Sequence, residues 1–358
     1  MEAFVLEPNT VDLVHFIYNP VSGSHENTAK ANTYVETLKI LFPQAQIIVL
    51  ATEAVGHATE LAKTLVKQVN QTKSAINAVL VVSGGDGTVS ETANGLIGSQ
   101  IPLLVLPGGT GNDFTRSLYQ KEPGENDRRT VDRVLAEFVA SAAEGFKVFE
   151  VDAIKLDAAS VQSVDGENYT SFSRYGLNVL SVGFDSVIGA TAQRIHRKTP
   201  WVGAMSYLLA AIRHLTNIPR FSMDLHASRA DRSAVEFSGS YSICVMSNAR
   251  FYGGGFQPNP RGSLTDGKID ILLAKELNRR DVLALIGKFR AGKEIPSQYA
   301  QTFQSTALTL KASTESSLIF NVDGEVFSAQ EMQVKVHPAA LRVIVPAISE
   351  RNPAFENN

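Results

Sequence analysis

Two glycine-rich segments carry the strongest chemical signal in the chain. Ser83-Gly84-Gly85-Asp86-Gly87-Thr88-Val89-Ser90-Glu91 follows the apolar run Ala78 to Val82 and leads into a helical stretch through Asn94 and Leu96. Glycines where a strand turns into a helix let the backbone approach a polyphosphate, and the helix start offers unpaired N–H donors and a favourable dipole. Asp86 would repel a bare triphosphate, so it points to Mg²⁺ between carboxylate and phosphates. The alternative is a tight turn in which Asp86 only caps the helix. The second segment, Leu106-Pro107-Gly108-Gly109-Thr110-Gly111-Asn112-Asp113-Phe114, ends the next strand-like run. In a doubly wound parallel sheet, loops after successive strands share one rim, so both segments can touch one nucleotide. No G-x-x-x-x-G-K-[ST] loop exists and no G-x-G-x-x-G follows a strand, which removes the signatures of the common ATPases and of dinucleotide-binding dehydrogenases. A third candidate, Asp323-Gly324-Glu325, follows the strand-like Leu318 to Val322. Its glycine lets two carboxylates project together, one to hold metal and one to accept a hydroxyl proton. The alternative there is an ordinary hairpin turn.

These loops need a scaffold, and the first 145 residues supply one. Strand-like runs at Leu13 to Ile17, Ile47 to Leu50, Ala78 to Val82 and Pro102 to Leu106 alternate with helical stretches at Ala29 to Leu41, Ala58 to Val69, Ser90 to Leu96 and from Asn112. That order predicts an α/β domain over 1–145 with a parallel sheet and crossover helices. From Phe146 the texture changes to strands separated by turns, predicting a β-rich, sandwich-like acceptor domain over 146–340. Helical insertions interrupt it at Ser186 to Leu215 and Asp281 to Phe289. Leu341 to Val345 reads as a final strand, so the tail 341–350 can return to the first domain. Residues 351–358 are polar and read as a frayed end.

Composition narrows the function. The 358 residues are 44% hydrophobic and 19% charged, and 33 basic against 36 acidic residues give a net charge of −3. No global field draws the chain onto nucleic acid or an anionic membrane, and no nucleic-acid partner is expected. One cysteine, Cys244, allows neither an internal disulfide nor a cysteine zinc site, which suits a reducing, cytoplasmic setting; between Tyr241 and Met246 it reads as a buried hydrophobe in a strand. No apolar run approaches a transmembrane span and no signal peptide is evident, so any membrane role is peripheral.

The motifs also occur in a familiar order. Asn19-Pro20-x-Ser22-Gly23, the GGDGT loop with Glu91, the GGTGNDF loop, Gly183-Phe184-Asp185 and Asn321-Val322-Asp323-Gly324-Glu325 resemble the diacylglycerol kinase catalytic family, most closely its bacterial soluble lipid kinases, related to sphingosine and ceramide kinases. The resemblance runs from about residue 13 to 346. GGDGT alone is shared with NAD kinases; GGTGNDF with NVDGE is far more specific. The resemblance implies an ATP-dependent lipid kinase acting on a diacylglycerol-like hydroxyl at the membrane surface, with homodimers common among relatives. It implies nucleotide contacts at Asn19, Pro20, Ser22, Gly23, Thr52, Gly84, Gly85, Asp86, Gly87, Thr88, Glu91, Thr110, Asn112 and Asp113, with ATP as co-substrate. It implies Glu325 as proton acceptor with Asp323 beside it. It implies Mg²⁺ at Asp86, and a structural Mg²⁺ held by the Asp266 carboxylate with backbone carbonyls of Ser263 and Lys268. The plain alternative for Asp266-Gly267 is a hairpin turn. After Thr52-x-x-x-Gly56 the family often has Asp where this chain has His57. An NAD kinase or another small-hydroxyl kinase, and a nucleotide-binding regulator without turnover, are the alternatives.

Other segments divide between readings. Gln193 to Trp201 is a basic run ahead of the apolar Ala204 to Leu215; it is either a solvated run leading to a core helix or a surface for anionic lipid headgroups. The seven histidines show no metal spacing, and His15, in an apolar strand, reads as a satisfied core histidine. Phe251-Tyr252-Gly253-Gly254-Gly255-Phe256 is either a mobile loop or a substrate-lining one.

Overall fold

Runs such as Val79-Leu80-Val81-Val82 and Leu103-Leu104-Val105-Leu106 lack polar alternation, so a sheet built from them must be covered on both faces. The computed structural model describes the chain apart from residues 1–2, 24–26, 73–75, 120–126, 165, 200–204, 230, 232, 348–352 and 356–358, and apart from the side chains of 27–29, 127–129, 196–197 and 205–208. The backbone divides into two compact units. One is Met1–Asp152 with Ser263–Asp266 and Pro338–Asn358; the other is Ala153–Gly262 with Gly267–His337.

The first unit contains, in chain order, β1 (Phe4–Leu6), β2 (Leu13–Tyr18), α1 (Asn27–Leu41), β3 (Gln46–Ala51), α2 (His57–Gln71), β4 (Ala78–Gly84), α3 (Asp86–Leu96), β5 (Leu103–Pro107), α4 (Asp113–Tyr119), α5 (Asp127–Ser141) and the start of β6 (Phe146–Ala158). Strands β3, β2, β4 and β5 lie side by side in parallel, in that order. Every residue of β4 and β5 is buried. Helix α2 buries Ala58, Ala62 and Leu65 and meets α3 closely enough that a Cβ on Gly95 would lie 2.5 Å from the Ala62 Cβ. The tail returns here, where Val343 pairs in parallel with Leu103. Pro353–Phe355 forms a 3-10 turn rather than a frayed end. Ala354 is buried, its carbonyl accepts Leu264 N–H at 2.7 Å, and Phe355 stacks on Phe149 at 4.1 Å. Aromatic stacking and one backbone bond outweigh the polar neighbours that made this end look loose.

The second unit takes the rest of β6, then β7 (Val161–Ser163), β8 (Asn168–Tyr169), β9 (Phe172–Gly176), β10 (Val179–Gly183), α6 (Phe184–Lys198), α7 (Met205–Leu215), β11 (Phe221–Ser228), β12 (Ala234–Ser247), β13 (Ile269–Lys275), α8 (Arg279–Arg290), β14 (Gln301–Ser305), β15 (Ala307–Ala312), β16 (Leu318–Val322), β17 (Glu325–Ala329) and the first half of β18 (Glu331–Val345). One antiparallel run is β7-β17-β16-β10-β12-β13-β14. Strand β12 pairs through its first half with β11, which leads to β15 and β18. Alternation sets the layers. Leu180, Val182, Cys244 and Met246 face one core with Leu225, Leu310 and Phe320, while Val179, Ile243 and Val245 face another built with Val282, Leu285 and Phe289 of α8. Cys244 is buried and free, and burial pushes its thiol up. Because β6 runs unbroken from Phe146 to Ala158, the division falls inside a strand, at Asp152/Ala153, where no change of texture marks it. No helix among the described residues is long and apolar enough to cross a membrane.

His15 departs from expectation. It is buried, but neither ring nitrogen has a hydrogen-bond partner among the described residues. Burial holds its imidazole below the ordinary value of 6.5. The unfolded chain therefore binds the extra proton below about pH 6.5, so folding stability is full above that pH and falls as pH drops, by up to ~1.4 kcal/mol per unit. His15→Leu should show a shallower loss of stability than wild type on going from about pH 7 to pH 5 in urea unfolding; equal slopes would remove His15 from the acid sensitivity.

Candidate functional site

The parallel register brings the loops of the first unit to one level. Tyr18 lies opposite Ala51 and Ser83, and Gly84 lies opposite Pro107, so the segments after β2, β3, β4 and β5 leave the sheet along one rim. They also touch. Ser22 Oγ donates to the Gly108 carbonyl at 2.9 Å, and Asn19 Nδ2 donates to Thr88 Oγ1 at 3.2 Å. A Cβ on Gly108 would lie 2.6 Å from Gly84 N, and one on Gly109 would lie 2.4 Å from Gly85 Cα. At Gly108 and Gly109 only a residue without Cβ lets the second loop pass this close to the backbone of the first. Asn112, in the left-handed region at φ 52, closes its own loop: its Oδ1 accepts Gly109 N–H at 2.9 Å and its Nδ2 donates to Gly109 O at 2.8 Å. Thr52 is half-buried on the same rim, with its N–H on Tyr18 O at 2.9 Å, and Thr110 is exposed. Pro20 and Glu91 are half-buried, and the Glu91 carbonyl accepts Thr59 Oγ1 at 2.8 Å.

Helix α3 starts at Asp86 with Gly85 as N-cap and no side-chain cap bond, so its first N–H groups are not used by a capping side chain. That fits a phosphate, with Asp86 needing a counter-ion. The acid set fits Mg²⁺ as well. Asp86 Oδ1 accepts Asp113 N–H at 2.7 Å. A Cβ on Gly111 would lie 2.5 Å from Asp86 Oδ2 and 3.7 Å from Asp113 Oδ2, so one oxygen of each carboxylate lies beside Gly111, where a side chain would displace Asp86. Hard oxygen donors of this kind suit Mg²⁺. His57, where the family often has Asp, opens α2 and accepts Glu53 N–H on Nδ1 at 3.0 Å, a bond a carboxylate could also accept. Two supports carry no sequence signal: Arg116 Nε donates to Gly111 O at 2.8 Å, and Tyr34 Oη donates to Pro107 O at 2.9 Å. Burial, with Asp132 nearby, pushes the Tyr34 hydroxyl up to about 12.

In the second unit Asp323 and Gly324 link β16 to β17, with Val322 opposite Glu325 and positive φ at both (47 and 99). That is a two-residue hairpin, so the turn and the candidate site are the same object. The Asp323 carboxylate accepts N–H from Leu177 (2.7 Å), Asn178 (2.9 Å) and Val179 (3.2 Å). Burial raises its pKa, while those three donors and Arg174 pull the other way. Glu325 is gripped by Arg174 of β9 through both oxygens, at 2.6 and 2.5 Å, and that guanidinium lies 5.8 Å over the Phe327 ring. Gln193 of α6 donates to Gly324 O at 2.8 Å. No motif marked Arg174, and Gln193 entered the sequence reading only as the first residue of the basic run.

Gly183-Phe184-Asp185 joins β10 to α6. A Cβ on Gly183 (φ 116) would lie 2.4 Å from Ser242 O, and burial pushes Asp185 up to about 6. Ser263 is buried, with Oγ 3.4 Å from Ala354 O; Asp266 and Lys268 are half-buried. No strand directly precedes Asp266-Gly267, so this is not a hairpin. The adjacent Thr265 hydroxyl is buried without a partner among the described residues, which suits an oxygen-ligand loop, although no group of three His, Cys, Asp or Glu that could hold a metal occurs among the described residues. The triglycine segment is a closed turn: Tyr252 and Phe256 exchange backbone bonds at 2.9 Å and pack against the core of α8.

Comparisons with known proteins cover both parts of the chain. The family model described as "Diacylglycerol kinase catalytic domain" matches residues 13–143, and "YegS C-terminal NAD kinase beta sandwich-like domain" matches 178–345. The chain carries the diacylglycerol kinase catalytic domain at residues 13–143. It is 25% identical over 347 residues to a protein of Mycobacterium tuberculosis named "Diacylglycerol kinase", covering 97% of this chain and 99% of that one. It is 27% identical over 287 residues to a Pseudomonas aeruginosa protein named "Probable lipid kinase YegS-like", covering 78% and 81%. A solved diacylglycerol kinase structure from Bacillus anthracis shares the fold at TM-score 0.61 and 19% identity, over 94% of this chain and 98% of that one.

The Asp323 geometry makes a prediction. In Asp323→Asn an amide NH₂ must face at least one of the three N–H donors, leaving a donor such as that of the buried Leu177 unpaired. Such a loss costs about 1–3 kcal/mol. Urea unfolding of the variant should show that destabilisation; wild-type stability would mean the three bonds contribute nothing net.

Proposed function

We propose that this kinase transfers the γ-phosphoryl group of ATP to a hydroxyl of a diacylglycerol-like lipid. The observation that carries the reading is the convergence of the three glycine loops on one rim, with one oxygen each of Asp86 and Asp113 beside Gly111. Asn19, Ser22, Gly84 to Thr88 and Thr110 border the triphosphate, and α3 presents its N-terminal N–H groups to it. Mg²⁺, when held by Asp86 and Asp113, neutralises phosphate charge. Glu325 takes the proton of the acceptor hydroxyl as its oxygen bonds to the γ-phosphorus, and the bond from that phosphorus to the β–γ bridging oxygen breaks, leaving ADP. Arg174 orients the Glu325 carboxylate and must share one of its oxygens with the hydroxyl. Asp323 shapes the turn. The chain works from the cytoplasmic side at the membrane surface, where its acceptor lies.

Phosphorylation of NAD is the second reading, favoured by GGDGT and by the description of the C-terminal family model. Labelled ATP supplied with diacylglycerol, a sphingoid base, monoacylglycerol and phosphatidylglycerol in mixed micelles, and separately with NAD, decides between them. A phosphorylated lipid is expected; label in NAD alone, or in nothing, overturns the lipid reading. Glu325→Gln should lower kcat by about 10²–10⁴ and leave the KM for ATP near wild type, because a general base acts in the transition state. A raised KM with normal kcat would make Glu325 a binding residue instead.

A further inference from the structure

We propose that α6 and α7 form a seat for the surface of an anionic lipid bilayer. Between Asp185 and Asp224 the sequence contains no acidic residue but has Arg194, Arg197, Lys198, Arg213 and Arg220, in a chain whose net charge is −3. Arg194, Lys198 and Arg213 are exposed. Helix α7 buries Ala210 completely, while Leu209 and Ile212 are 44% and 54% exposed. Those two lie three residues apart, on one helix face. The opposite side is tied to α6, where Thr191 Oγ1 and a ring nitrogen of His214 are 2.8 Å apart. Burial and Arg213 hold His214 below its ordinary value, so the arginines and lysine carry the charge. Arg279 adds to it beside the end of α7 through its bond to Thr216 O at 3.1 Å. Glu276, on an adjoining segment, is 3.7 Å from Arg220, and Asp323 and Glu325 flank the Gly324 that Gln193 of α6 bonds.

Exposed basic and aliphatic side chains on one helix pair match a bilayer better than a polyanion, because leucine and isoleucine gain nothing against phosphates but partition into the acyl boundary. An eleven-residue α7 is far short of the roughly 20 residues that span a membrane, so it lies in the interface. Trp201 and the preceding proline lie outside the described residues. The seat is also linked to the acid-bearing turn, since α6 carries Gln193, bonded to Gly324 O, and Gly189, whose Cβ position is 3.4 Å from Asn321 Nδ2. The inference deepens the lipid kinase reading by naming its membrane surface. Its test omits ATP and every acceptor assayed above, so failure here and failure of that reading are distinguishable.

The full chain is sedimented with vesicles of phosphatidylcholine, and with vesicles of phosphatidylcholine mixed with phosphatidylserine. Each base near an anionic surface is worth about fivefold in partitioning, so the mixed vesicles should bind at least about tenfold more tightly, less so in high salt. Leu209→Gln with Ile212→Gln should weaken binding about tenfold, and Arg194→Gln with Lys198→Gln and Arg213→Gln roughly a hundredfold. All five positions are exposed, and unchanged thermal melting confirms intact folds. Equal binding to both vesicle types, or no binding, overturns the seat. Binding unaffected by the Leu209 and Ile212 pair but competed by single-stranded RNA overturns it in favour of a plain polyanion surface.

Discussion

The approach of Gly84-Gly85 to Gly108-Gly109 is the constraint on which the rim of the first unit depends. A Cβ on Gly108 or Gly109 would sit 2.4–2.6 Å from the backbone of the Gly84-Gly85 segment, so no other residue type fits at those two positions. The register of β4 against β5 fixes the level at which the two loops leave the sheet, and the missing side chains fix how near they come. From that contact follow the position of Asp86 at the start of α3, its bond to Asp113 N–H and the two carboxylate oxygens beside Gly111. Chemistry usually credited to carboxylates is prepared here by glycine. The flanking bonds of Ser22, Arg116 and Tyr34 hold the loops in register.

The second unit solves a related problem differently. A hairpin turn on its own would leave the N–H groups of Leu177, Asn178 and Val179 facing a loop. Asp323 accepts all three, which ties the turn to the start of β10 and leaves Glu325 as the neighbouring acid presented by β17. Two adjacent carboxylates thereby acquire different tasks from their surroundings: one is committed to backbone donors, the other to a side-chain cation that can move. Arg174 rather than lysine suits that partner, because a planar fork matches both carboxylate oxygens and can rest on the Phe327 ring.

Much of this was legible in the sequence, unevenly. Continuous apolar runs gave the parallel strands, alternation gave the sandwich, and the glycine spacing gave the rim, because each is a local pattern with one structural solution. The supports were not legible. Tyr34 on α1, Arg116 on α4 and Gln193 on α6 sit at helical positions whose periodicity reports burial or exposure but not the loop their tips reach. Arg174 is distant from Glu325 in sequence, and only the path of β9 brings them together. His15 looked satisfied because an apolar strand normally provides for what it buries, whereas its ring nitrogens have no partner among the described residues. The chain end looked frayed because composition cannot register one phenylalanine stacked on Phe149.

The grip of Arg174 on Glu325 bears on how the acceptor enters. Both carboxylate oxygens accept from Arg174 at 2.5–2.6 Å, so on the proposed reading the hydroxyl must use a remaining lone pair of Glu325 or loosen one of these bonds. A bidentate charge-assisted pair is strong, so a hydroxyl that loosened it would draw binding energy from elsewhere in the acceptor. A lipid carries that energy in its acyl chains; a small polyol does not. The same ion pair that orients the base would thus favour acceptors with a large apolar body, and the selection would act in kcat as well as in KM, since remote binding energy is used at the reacting centre. On this argument a preference for a lipid would not require a side chain that recognises the headgroup. It would follow from how tightly Arg174 holds Glu325 before an acceptor arrives.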